Sequence, residues 1–141
     1  MIRYVFLDDP GADQVLLFAC DGAGAKAFAA LLSDLARAEL GATIVLDQHR
    51  GFDPRDNRCV VIELDGMPSQ IAVGAAPGSP LVWHTNQQSC VVAAEMVSVL
   101  THGRPGHQYL EDVKPDIVVS ANEWTGPVWK DALRARLGFS V

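Results

Sequence analysis

Gly22, Gly24 and Ala27 fall in the order GxGxxA directly after a short apolar run, and Asp47 stands 20 residues beyond Ala27 at the end of the next one. At a strand-to-helix turn, small residues let a pyrophosphate approach the backbone N–H groups and the positive end of the helix. An acid at that distance suits a ribose hydroxyl. Gly22, Gly24 and Asp47 are therefore the candidate cofactor-binding residues. Two things weigh against the assignment. Asp21 sets a negative charge at the edge of the phosphate position, and small residues at helix starts also serve close packing alone. On balance no cofactor is expected. If the glycines serve packing only, Gly24→Ala should stabilise the helix by about 1 kcal/mol. Lys26 lacks the spacing of a P-loop.

A second set of residues could recognise a partner. The stretch 47–58 gathers Asp47, His49, Arg50, Asp53, Arg55, Asp56 and Arg58, a mixture that suits either a binding loop or a solvated loop with local ion pairs. Trp83 and His84 precede Thr85-Asn86-Gln87-Gln88-Ser89, polar residues able to hold an anion or simply to cap a helix. His102 and His107 flank Gly103-Arg104-Pro105-Gly106 and lie near Tyr109, Glu111 and Asp112, but HxxxxH on a turn is no zinc spacing and no metal is expected. Trp124 sits in a turn, either as a core anchor or as an exposed contact. The candidate partner-binding residues are His49, Asp53, Trp83, His84, His107 and Trp124. No nucleophile elbow, HExxH or paired catalytic carboxylates appear, so catalytic residues are not assigned and the reading leans away from an enzyme.

The whole-chain balance narrows the partner classes. The net charge is −6 over 141 residues, which opposes binding to phosphate backbones and to anionic membrane surfaces. Within residues 1–49 seven acids (Asp8, Asp9, Asp13, Asp21, Asp34, Glu39, Asp47) face three bases, Arg3, Lys26 and Arg37. Nucleic acid and membrane are therefore excluded, and a basic protein is the favoured partner. Cys20, Cys59 and Cys90 are odd in number, widely spaced and set in apolar runs, which reads as buried free thiols in a reducing compartment. No segment has the length of a membrane span or the form of a signal peptide, and a cytoplasmic location is expected.

The elements that must position these residues follow from periodicity and punctuation. Ile2–Leu7 and Val15–Cys20 read as strands around the turn cluster Asp8-Asp9-Pro10-Gly11. A helix capped by Asp21 carries Phe28, Leu31, Leu32, Leu35 and Ala36 as one apolar stripe and stops near Gly41. Thr43–Leu46 is a strand and His49–Arg58 a loop. Cys59–Leu64 and Gln70–Val73 read as a hairpin, and Leu81–His84 as a short strand. A second helix, capped by Asn86 or Thr85, runs from Gln87 to about Thr101 and is apolar nearly all round. A last hairpin pairs His107–Leu110 with Ile117–Ser120. A final helix has Thr125 as cap, Pro127 near its start, Trp129, Leu133 and Leu137 inward, and Gly138 as stop.

The order ββαββββαββα does not sustain strand–helix alternation. It predicts an α+β fold, with a mixed, mainly antiparallel sheet and about three helices packed on it, in a single globular domain over residues 1–141. No internal repeat is visible. The function expected is a small acidic interaction protein, such as an inhibitor or immunity-type module. The alternative is a small-molecule or nucleotide binder using the Gly22–Ala27 turn with Asp47.

Overall fold

The computed structural model describes residues 1–76, 78–110, 113–124 and 129–139. The α+β class holds, with three helices and two mixed sheets of five and four strands. Strand β1 is Ile2–Leu7 and β2 is Val15–Cys20. Helix α1, Gly22–Ala36, begins where Asp21 Oδ1 accepts the Gly24 N–H at 2.7 Å. Then come β3 (Thr43–Val45), a 3-10 turn (Leu46–Gln48), β4 (Phe52–Pro54), β5 (Val60–Leu64), β6 (Gln70–Val73) and β7 (Leu81–Thr85). Helix α2, Gln87–Ser98, is capped by Asn86, whose side-chain oxygen accepts the Ser89 N–H at 2.9 Å. A 3-10 turn (Val99–His102), β8 (Gly106–Tyr109), β9 (Asp116–Ala121) and α3 (Asp131–Arg136) complete the chain.

The predicted order is present, with β4 added inside the loop 49–58. Two further local expectations change, and others fall outside the described residues. The final helix begins at Asp131, with Lys130 in the cap position and no side-chain cap bond, so Trp129 precedes it. Thr125 and Pro127 lie outside the described residues, as do Glu111 and Asp112. The segments 59–64 and 70–73 do not pair as a hairpin, because β7 lies between β5 and β6.

The reason is a topology shared by the two sheets. Their strand orders are β4–β1–β2–β9–β8 and β3–β5–β7–β6. With the short edge strand β4 set aside, each half of the chain runs strand, strand, helix, strand, strand: β1, β2, α1, β3, β5, then β6, β7, α2, β8, β9. In each half the first two strands pair antiparallel, as β1–β2 and β6–β7. The last two strands pair antiparallel in the opposite sheet, where one runs parallel to the other half's second strand, as β5–β7 and β2–β9. The halves thus exchange their terminal strand pairs, and α1 packs on α2.

This exchange builds one core from both halves. The inward residues Ile62, Leu64, Leu81 and Trp83 of the four-stranded sheet join Tyr4, Phe18, Phe28, Leu32, Cys90 and Val97 in a single buried cluster. Phe18, Phe28 and Phe52 meet edge-on at its centre, with ring centroids 4.8–6.3 Å apart. Each buried aromatic or aliphatic side chain of this kind contributes about 1.5–3 kcal/mol. A second cluster forms on the outer face of the five-stranded sheet, where Trp129, Leu133, Leu137 and Phe139 cover Val5, Leu17, Ala19 and Val118.

Candidate functional site

Among the described residues the outer face of the four-stranded sheet has no such cover. Side chains alternate across a strand, and here the alternation reads directly in the burial of β5 and β7. Val60, Ile62 and Leu64 face in while Val61 and Glu63 face out; Leu81, Trp83 and Thr85 face in while Val82 and His84 face out. Register then aligns two rows on the outer face. One row is Thr43, Glu63, His84 and Gln70, and the other is Val45, Val61, Val82 and Ala72. All eight are exposed or half-buried, and none belongs to either apolar cluster.

Carboxylates stand on both sides of the valine row. On one side His84 Nδ1 lies 2.5 Å from Asp65 Oδ2 and 3.6 Å from Glu63 Oε2, and Asp65 Oδ1 also accepts the Met67 N–H at 3.1 Å. The hydrogen bond from His84 holds the Asp65 carboxyl below the usual carboxylate range. The three ligand atoms lie within 4.8 Å of one another, close enough to share a cation, but the His84–Asp65 bond already commits Nδ1 as donor. On the other side exposed Asp47 accepts from Cys59 Sγ at 3.4 Å. Partial burial and the Asp47 carboxylate push the Cys59 thiol up, making it a weak nucleophile. Cys59 is thus only partly buried, whereas Cys20 is buried and pushed up to about 12 by burial and by Asp21.

Of the sequence candidates, His84 lies on this face and Asp47 at its margin. Trp83 does not. It is 1% exposed and its Nε1 donates to Ser69 Oγ at 2.9 Å, so the expected exposed contact is a core residue, fixed inward by strand alternation. Trp124 is half-buried and stacks on Phe139, with ring centroids 4.8 Å apart. His49 is exposed with its ring edge-on to Phe52, and Asp53 pairs with Arg55 at 3.0 Å. His107 lies on the other sheet beside Glu123. Glu63, Asp65 and the three valines went unread in the sequence, although the alternation in VVIEL and LVWHT carries the signal for Val61, Glu63 and Val82.

The glycines of α1 are accounted for by packing. A Cβ on Gly22 would meet the Thr101 carbonyl oxygen at 3.0 Å, and one on Gly24 would meet Cys20 Cβ at 2.7 Å. The Gly24 N–H is already taken by Asp21. Asp47 bonds Cys59 instead of joining this turn in a shared network among the described residues.

No helix among the described residues is long and apolar enough to cross a membrane. No family model, curated protein or solved structure gives a significant match to the chain.

Proposed function

We propose that this chain is a protein-docking module whose open four-stranded sheet face takes a basic partner, in the manner of an inhibitor or immunity-type protein. The observation that carries the reading is the contrast between two sheets of the same plan. The C-terminal segment closes the outer face of one, while the other presents a valine row between carboxylates. Aliphatic side chains supply the burial that a stable interface needs. The flanking acids, on a chain of net charge −6, favour Lys and Arg around an apolar contact and speed the encounter. Three free cysteines suit a cytoplasmic setting.

Charge reversal tests the reading. Immobilised wild-type protein, exposed to an extract of its source cell, should retain a basic protein that elutes as salt rises. The double variant Glu63→Lys, Asp65→Lys should not retain it. Retention of the same protein by the variant, or of an acidic protein by the wild type, would contradict the assignment.

A further inference from the structure

The outer faces of the two sheets correspond position by position. On the five-stranded sheet, register aligns Val5, Leu17, Val118 and Tyr109 in one row and Arg3, Ala19, Ser120 and His107 in the next. On the four-stranded sheet the row from Ala72 to Val45 matches the first, and the row from Gln70 to Thr43 matches the second. Val82 thus holds the place of Leu17, Val61 that of Val118, and Glu63 that of Ser120. From the first row to the second the chain runs forward in β2 and β9, as in β7 and β5. It runs backward in β1 and β8, as in β6 and β3.

The five-stranded sheet is covered by a helix with an apolar stripe. Trp129, Leu133 and Leu137 recur every four residues and turn toward the sheet together with Phe139. The sheet also holds the end of that helix. Arg3 Nη1 donates to the Leu137 carbonyl at 3.1 Å, and its guanidinium lies 4.3 Å from the centre of the Phe139 ring. Residues 129–139 carry three bases, Lys130, Arg134 and Arg136, against one acid, Asp131. The two rows they cover include Arg3 and no acid, whereas the rows left open among the described residues include Glu63, with Asp65 and Asp47 beside them.

We propose, resting on the docking reading above, that the open face takes its basic partner as one short amphipathic helix, laid as α3 lies on the other sheet. Large apolar side chains at every fourth position of that helix meet Val45, Val61 and Val82, which are smaller than the Leu17 and Tyr109 of the covered face. Lys or Arg beside them face Glu63, Asp65 and Asp47. Gln70 holds the Arg3 position, and its amide N–H can donate to the last carbonyl of the helix, as Arg3 does to Leu137. A strand added at a sheet edge would leave the valine row bare.

The probe is a fluorescent, end-capped peptide of residues 129–139, titrated with the intact protein and followed by anisotropy. It should bind, and Val82→Arg and Glu63→Lys should each weaken it about tenfold. Both positions lie on the outer face, so either variant serves if the other fails to fold. Ala135 is exposed on α3, so a peptide carrying Ala135→Pro keeps the stripe and the charges while losing the helix. That peptide should bind about a hundredfold more weakly. No binding, or equal binding of the two peptides, would overturn the helix. Binding unchanged in both folded variants would put the peptide on the five-stranded sheet and overturn it too. A dimer of the protein that the peptide dissolves would make residues 129–139 of a second copy the occupant, which also contradicts the proposal. A basic protein retained from the extract by a face that ignores the peptide would keep the docking reading and remove the helix. Peptide binding with no basic protein retained would remove the docking reading and support the preference for a helix.

Discussion

At the scale of single residues, the acid pair around His84 gives the docking face a measurable signature. The His84 hydrogen bond depresses the folded-state pKa of Asp65. A carboxyl whose pKa is lower folded than unfolded contributes stability above its unfolded value and loses it as pH falls through the folded one. Asp65→Asn should therefore be less stable than wild type at neutral pH, and the gap should close below about pH 4. Urea unfolding across that range checks the sign; a gap that widens in acid would remove the His84–Asp65 bond from the account. None of this was legible in the sequence. Glu63 and His84 are separated by 20 residues, and only the β5–β7 register makes them neighbours. Trp83 was misplaced for the opposite reason: its face could be read from LVWHT, since Leu81 and Thr85 share it.

At the scale of elements, local signals located most boundaries and non-local pairing did not show. Asp21 and Asn86 cap their helices as their chemistry predicts, because a cap is decided within four residues. β4 was invisible, since FDP has neither alternation nor an apolar run, and only pairing with β1 makes it a strand. The seating of α1 reverses one expectation. Helix propensity alone has Gly24→Ala stabilising. The 2.7 Å approach of a Cβ to Cys20 Cβ makes it an overpacked site, so the substitution should destabilise by about 1–3 kcal/mol. A chemical-denaturation midpoint that rises in the variant would show that α1 can shift away from β2 without loss.

At the scale of the whole molecule, the exchange of strand pairs ties the halves into one folding unit. β3 and β5 find their sheet only beside β7, and β9 finds its own only beside β2. A fragment of residues 1–66, cut between β5 and β6, should therefore be unfolded by circular dichroism alone and regain structure when mixed with the complementary fragment. Cooperative folding of 1–66 by itself would show that the first half carries its own core. The same exchange leaves two outer faces of equal plan, one closed and, among the described residues, one open, and the proposed docking rests on the open one. Its most direct measurement is site-specific photo-crosslinking in the source cell, with the photoreactive residue at Val61 or Val82 and a control at Ala30 on the exposed side of α1. An adduct with a basic protein is expected from both strand positions, absent at Ala30 and lost with Glu63→Lys. An adduct equally strong at Ala30, or self-adducts alone at Val61 and Val82, would contradict it.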